Sequence, residues 1–317
     1  METESAGGQN RNYHRPVMLS ECIEALRIRP EGVYVDVTFG GGGHSIAILE
    51  QLKGGHLYAF DQDEDAQKQA ATIQGSSFTF CKANFRNLIE VLNQKGVHRV
   101  DGILADLGIS SHQIDQAQRG FSTRFEGPLD MRMNRAARKT AADILNTADE
   151  ADLHKIFGMY GEIKNARTAA RLVVNKRSQP FKTTFDLKNA LGEIAPRGKE
   201  NKWFAQVFQA LRIEVNDELK ALEEFLIQCG EVITPGGRLV VMSYHSLEDR
   251  MVKNYISTGK IYGEVEKDFY GNQLRPFEAV SRKPIVASED EIAENSRARS
   301  ARLRVAERTE TQVIIRG

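Results

Sequence analysis

The stretch from Val33 to Asp61 constrains the fold more than any other part of the chain. VYVDVTF reads as a buried strand, Gly40 to Gly43 as a turn, SIAILEQL as a helix and HLYAFD as a second strand. Strand, glycine turn, helix and parallel strand make a βαβ unit, whose connection must cross one face of a sheet. The rhythm then continues. DEDAQKQAATI is helical, FTFCKANF a third strand, NLIEVLNQKG helical, and VDGILADLGIS a fourth strand with its loop. Alternation at this spacing predicts an α/β fold built on a parallel, doubly wound sheet.

The turn also carries chemistry. Glycine permits positive φ and lets a ligand lie against backbone, and the helix behind it offers unpaired N–H groups and a partial positive charge. A phosphate or an amino-acid carboxylate fits there. About 20 residues further on, Asp61 ends the second strand, where an acid can bind two ribose hydroxyls. The dinucleotide pattern G-x-G-x-x-G fails, because Gly40 and Gly42 lead to Ser45, and Gly41 and Gly43 lead to Ile46. No G-x-x-x-x-G-K-[ST] occurs either. A Rossmann-like site for S-adenosylmethionine suits the turn better than one for NAD or a nucleoside triphosphate. Ligands of open α/β sheets bind outside the carboxyl ends of strands, which adds Asp106 at the end of ILAD. Phe85, closing KANF, either flanks the adenine or belongs to the core.

From Gln113 to Arg212 the strands stop and helical patterns dominate, as in AADILNTADEADLHKIFGMYG and IKNARTAARLVVNKR. This predicts a helical domain, 113–212, inserted into a discontinuous catalytic domain, 13–112 and 213–317, behind a disordered tail at 1–12. A short helix is expected from Ser20. RLVVMSYHS returns to the sheet, and PIVA and RLRVAE are expected at its edge. Forty-three basic residues balance forty-three acidic ones, so nucleic acid can be attracted only by local patches. One such patch is Arg119, Arg124, Arg132, Arg135, Arg138 and Lys139; the other is Arg297, Arg299, Arg302, Arg304 and Arg308. Cys22, Cys81 and Cys229 show no metal-ligand spacing and read as buried thiols, and no metal is expected. The polar first dozen residues and the lack of a ~20-residue apolar run lead to the expectation of a cytoplasmic protein without a membrane partner.

Several segments together resemble a known family: Thr38-Phe39-Gly40, Gly42-Gly43-His44-Ser45, Asp106-Leu107-Gly108-Ile109-Ser110-Ser111, Arg119-Gly120-Phe121-Ser122 and Pro128-Leu129-Asp130-Met131-Arg132-Met133. His245-Ser246-Leu247-Glu248-Asp249-Arg250, Ser296-Arg297-Ala298-Arg299-Ser300 and Arg304-Val305-Ala306-Glu307-Arg308 follow in order. From His14 to Arg308 the chain is similar to the bacterial 16S rRNA (cytosine-N4)-methyltransferase family, formerly called MraW. The resemblance implies methyl transfer from S-adenosylmethionine to the exocyclic amine of one cytidine in the decoding region of 16S rRNA, within the small ribosomal subunit. It implies cofactor contacts from Gly42, Gly43, His44, Asp61, Phe85, Asp106 and Gln113, and substrate binding by the insertion. Two positions depart from the family pattern: His112 stands where proline is common, and Gln206 where arginine is usual.

Amine methylation needs an acceptor for the amine proton. Asp106, or a carbonyl of Leu107–Gly108, is the candidate, with His245 either touching the base or capping the next helix. Ser246 and Asp249 have the spacing of a capping box. None of the cysteines follows a proline, which speaks against the covalent route to cytosine carbon 5. Arg119, Arg124, Arg132, Arg135 and Arg299 are the expected phosphate contacts. A methyltransferase of another RNA or a protein, an NAD oxidoreductase and a non-catalytic ribosome-assembly factor are the rival readings. Oligomeric state, including a homodimer, stays open.

Overall fold

A computed structural model of the chain describes residues 16–311; the expected tail at 1–12 lies outside them. The chain runs α1 (Leu19–Leu26), β1 (Val33–Asp36), α2 (Gly43–Gln51), β2 (His56–Asp61), α3 (Glu64–Ala70), β3 (Phe78–Lys82), α4 (Leu88–Gln94) and β4 (Val100–Asp106). A helical stretch follows, with α5 (Ser111–Asp115), α6 (Ala141–Thr147), α7 (Glu150–Lys155), α8 (Ala166–Asn175), α9 (Thr184–Leu191) and α10 (Glu200–Asn216). The rest comprises α11 (Glu218–Val232), β5 (Ile233–Ser243), α12 (Ser246–Thr258), β6 (Glu266–Lys267), β7 (Gln273–Leu274), β8 (Phe277–Ala279), α13 (Glu289–Glu294) and β9 (Arg302–Arg308).

Seven strands form one sheet in the order β3-β2-β1-β4-β5-β9-β8, while β6 and β7 pair as a separate ribbon. The first five strands of that order are parallel, and β9 runs antiparallel to both of its neighbours. Helices cover both faces, so the inner strands are apolar on both sides, as a buried parallel sheet requires. Alternate residues part to the two faces. Val35, Ile103, Ala105, Leu239 and Val241 join a core with α4, α11 and α12. Tyr34, Leu104, Val240 and Met242 join another with α1 and Ile48 of α2.

The helical stretch has an apolar core of its own, running from Phe121 to Leu211 and including Leu145, Phe157, Val173, Leu187 and Trp203. Three of its helices start on side-chain caps: Thr140 and Asp143 form a capping box at α6, Thr183 and Asp186 another at α9, and Asp149 caps α7. The break between this stretch and the sheet domain falls at Asp217, a left-handed residue (φ 50°) joining α10 to α11. α10 keeps its apolar face in the helical core through Leu211 and ends at Asn216.

Two expectations change. PIVA is not a strand; within it Ile285 makes an isolated bridge to Leu303, and the edge strand is β8. FTFCKANF ends as a strand at Lys82, so Phe85 opens a short 3-10 turn instead.

Leu145→Ala should cost about 2–5 kcal/mol, the usual cost of emptying a fully buried leucine site. Hydrogen exchange should then show protection lost in α6–α10 ahead of the sheet. Equal loss in both would mean that the two cores do not open separately.

Candidate active site

The register of the sheet brings acids to one edge. Asp36 pairs opposite Leu104 of β4, and Asp106 opposite Met242 of β5, while Asp61 ends β2 opposite Lys82. Three carboxylates therefore collect at the carboxyl ends of β1, β2 and β4, around the glycine turn. Each is tied down by local donors. Asp36 accepts from Ser45 Oγ at 2.7 Å and from the Thr38 amide at 3.0 Å. Asp61 accepts from the Gly40 amide at 2.8 Å and the Asp63 amide at 2.9 Å. Asp106 accepts from the Tyr244 hydroxyl at 2.7 Å, and its own amide donates to Thr38 Oγ1 at 2.6 Å.

Burial pushes the carboxyls of Asp61 and Asp106 up to about 6. For Asp61 the amides of Asp63 and Gly40 pull back, and for Asp106 His44 and Tyr244 do so. The neighbouring carboxylates Asp63 and Asp36 add to the rise at Asp61, as Asp36 and Glu248 do at Asp106. Burial likewise raises Asp36. Such a crevice is short of positive charge and favours a cationic ligand.

The turn leaves room for one. Gly42 sits at φ 82°, and a Cβ there would meet the Phe39 ring at 2.7 Å; at Gly43 it would meet Pro16 Cγ at 2.2 Å. Among the described residues, a Cβ on Gly41 would meet nothing within 4 Å, which leaves that side of the turn open among them. The N-terminus of α2 has no side-chain cap, which leaves its first N–H groups for an anion. Both carboxylate oxygens of Asp61 already accept one amide, yet each retains a lone pair for a hydroxyl. An ammonium or sulfonium over the acids, a carboxylate on α2 and a ribose on Asp61 match the donors and acceptors present.

The other expected site residues are less direct. His44 is 6% exposed, and its ring is engaged: Nε2 donates to the Val17 carbonyl at 3.1 Å and Nδ1 lies 3.9 Å from Asp106 Oδ2. Its backbone N–H, in the first turn of α2, is what it can offer a ligand. Gln113 uses both ends of its amide, accepting from the Ser110 amide and donating to Asp63 Oδ2 at 2.7 Å. Phe85 turns its ring to the sheet core, 5.3 Å from that of Phe225. His245 caps α12, accepting from the Glu248 amide, and Glu248 reaches back to the Tyr244 amide at 3.1 Å. His245 is therefore the cap, the expected Ser246–Asp249 box does not form, and Asp249 instead holds Arg304 and Arg302.

Arg119 is a correction. It is 2% exposed, donating to Asp63 at 2.7 Å and to the carbonyls of Arg132 and Met133. A guanidinium so enclosed braces the loop after β2 and presents nothing to a phosphate. Arg132 is clamped on Asp130 and on the Ala137 carbonyl, and Arg308 caps the carbonyls of Gly230, Pro276, Thr309 and Thr311. Arg124, Arg135 and Arg299 are exposed. Asp115 joins the two basic clusters, accepting from Arg297 at 2.8 Å with Arg124 Nη2 3.9 Å away. Gln206 donates to the Gly161 carbonyl, and His112 stays half-exposed beside Asp65.

Sequence reasoning missed Tyr244, Asp63 and the partners of His245, namely Glu248, Arg212 and Glu218. Arg212 binds Glu218 through two nitrogens, at 2.8 and 2.9 Å. Burial raises Glu248, but His245 and Arg212 outweigh that and hold it below the usual range. The signal for Tyr244 was its place just past β5, whose neighbour in the sheet is β4.

A seven-stranded sheet with its last strand antiparallel, a glycine turn without the dinucleotide spacing and acids at the ends of β1, β2 and β4 define an S-adenosylmethionine-dependent methyltransferase. The sequence model of the MraW methylase family matches residues 11–309. The chain is 58% identical over 297 residues to the ribosomal RNA small subunit methyltransferase H of Cytophaga hutchinsonii, covering 93% of this chain and 99% of that protein. The protein of the same name from Amoebophilus asiaticus is 53% identical, covering 94% and 96%. That from Phocaeicola vulgatus is also 53% identical, covering 93% and 97%. The chain belongs to the MraW methylase family.

The raised carboxyls set a pH dependence. In the free protein they favour folding when protonated, a contribution present below about pH 4 and lost as pH rises through about 6. A cationic ligand prefers them ionised, so its affinity should rise over the same window. S-adenosylmethionine should bind about tenfold more weakly at pH 5 than at pH 7 for each acid that must ionise. Calorimetry at the two pH values checks this, and a flat affinity would count against the acids as its partners.

Proposed function

We propose that this protein methylates the exocyclic N4 amine of a cytidine in the decoding region of 16S rRNA, within the small ribosomal subunit, in the cytoplasm. The observation that carries the reading is Asp106. Its carboxyl stands at the crevice with a quarter of its side chain exposed (24%) and with an affinity for protons raised to about 6. The names of the relatives supply the class of acceptor, ribosomal RNA of the small subunit.

When bound, S-adenosylmethionine supplies an electrophilic methyl on a sulfonium. Asp61 is assigned to its ribose hydroxyls, and the amides of Gly43 and His44 at the start of α2 to its carboxylate. Gln113 supports that set through Asp63, whose amide donates to Asp61. Gly42 lets the Phe39 ring pack against the turn, and Phe85 stays with the sheet core beside Phe225. A cytidine amine is a poor nucleophile because its lone pair is delocalised into the ring, so an acceptor for its proton is worth roughly 10²–10⁴-fold. Asp106 is that acceptor, and His245 orders the loop beside it. The three cysteines are buried and take no part.

The helical insertion, with Arg124 and Arg135, and Arg299 from the sheet domain form the basic face that positions rRNA. Phosphate contacts of this kind orient the strand without reading it, and a single-stranded target makes extrusion of the base less costly. Every group named comes from one chain, so the reading requires no second copy.

Labelled S-adenosylmethionine should be presented with assembled small subunits, free rRNA and a protein mixture. N4-methylcytidine should appear in the RNA by nucleoside mass spectrometry. Label only in protein, or only as 5-methylcytidine, would overturn the assignment.

A further inference from the structure

Tyr244 has no assigned part in the reading above, yet it makes the shortest side-chain contact to the proposed proton acceptor. Its hydroxyl donates to Asp106 Oδ1 at 2.7 Å, while His44 Nδ1, 3.9 Å from Oδ2, is beyond hydrogen-bond range. Among the described residues one oxygen of Asp106 is thus occupied and the other is left without a donor. The backbone of Tyr244 is itself pinned. Its amide donates to Glu248, a buried carboxylate flanked by His245 and Arg212. Gly108, at φ 99°, lets the chain after Asp106 turn against the tyrosine ring; a Cβ there would stand 3.5 Å from Tyr244 Cδ2.

We propose that Tyr244 is a positioning residue for methyl transfer: by holding Asp106 Oδ1 it fixes the carboxylate with Oδ2 open to take the proton of the methylated amine. This rests on the assignment of Asp106 as acceptor. The balance is simple. The nitrogen–carbon bond forms as the sulfur–carbon bond breaks and sulfur keeps the electron pair. The surplus proton passes from nitrogen to Asp106, and from there to solvent. A carboxylate free to rotate would lose alignment, and reactions of this kind are sensitive to small misplacements.

Asp106 is faced by Tyr244 beyond β5, His44 of α2, Asp36 of β1, Glu248 of α12 and Cys22 of α1. Of these, Tyr244 and His44 favour the ionised carboxyl, whereas Asp36 and Glu248 oppose it. Removing the tyrosine hydroxyl therefore has a defined direction: the Asp106 carboxyl should titrate at higher pH.

The test compares Tyr244→Phe with Asp106→Asn. Tyr244→Phe should lower kcat by about tenfold or more, a part of the acid–base contribution, with the Kd for S-adenosylmethionine changed less than threefold. The acid limb of its pH–rate profile should move to higher pH. Carboxyl carbon NMR of the ligand-free protein should show the Asp106 titration moving up from about 6 in the same variant. Full activity, or lost activity with both titrations unmoved, would overturn the proposal. Should Tyr244→Phe fail to fold, incorporation of 3-fluorotyrosine, a stronger donor, should move the limb to lower pH, and an unmoved limb would again overturn it. Asp106→Asn separates the two levels. A wild-type rate there removes the acceptor assignment and this inference together, whereas a slow Asp106→Asn beside an unchanged Tyr244→Phe removes Tyr244 alone.

Discussion

Carboxylates resist leaving water, and this protein places three of them, Asp36, Asp61 and Asp106, at one edge of a buried parallel sheet where, among the described residues, no arginine or lysine is a hydrogen-bond partner of theirs. Burying a charge without a counter-ion costs several kcal/mol or shifts the pKa until the group is neutral. Both responses are visible, in the raised carboxyls of Asp61 and Asp106 and in the amides and hydroxyls gathered around each acid. The rest of the sheet domain serves this edge. Strand register sets the acids side by side, the glycine turn opens the space over them, and the helix behind the turn supplies a positive pole. A ligand that brings its own positive charge relieves the arrangement; a pyrophosphate would worsen it.

The supporting residues divide by distance from the edge. Asp63, Arg119 and Gln113 form a closed network that braces the loop after β2 and links it to the first turn of the insertion. Glu248, His245, Arg212 and Glu218 form a second network under the β5–α12 corner, joining the last helix of the insertion to α11 and α12. Both networks connect the helical unit to the crevice by charged hydrogen bonds rather than by apolar packing. The helical unit keeps its apolar surface for its own core. Glu162 of the helical unit adds further contacts to Ser246 and Arg250 of α12.

Much of this was legible in the sequence. The βαβ rhythm, the glycine turn and the acids ending β2 and β4 follow from local rules: period, turn chemistry and strand ends. What was hidden depends on partners far away in the chain. Arg119 reads as a surface cation until Asp63, 56 residues earlier, is folded against it. Arg132 reads likewise, although Asp130 two residues away gave a local hint. Phe85 was misplaced because KANF continues the apolar run past the last strand residue, and the short β8 has too little pattern to be seen. At the HSLEDR corner His245 takes the capping role that was one of its two expected roles, while the Ser246–Asp249 box that rules of thumb prefer does not form. His44 was named from resemblance, and the structure shows its ring turned to the Val17 carbonyl.

The central claim is that the acidic edge holds a sulfonium nucleoside rather than a dinucleotide. Calorimetric titration of the wild-type protein and Asp61→Ala with S-adenosylmethionine and, separately, with NADH tests it most directly. The wild type should bind S-adenosylmethionine and ignore NADH, and Asp61→Ala should weaken binding by roughly 2 kcal/mol, or about 30-fold. Binding of NADH alone, or an Asp61→Ala protein with unchanged affinity for S-adenosylmethionine, would contradict the account.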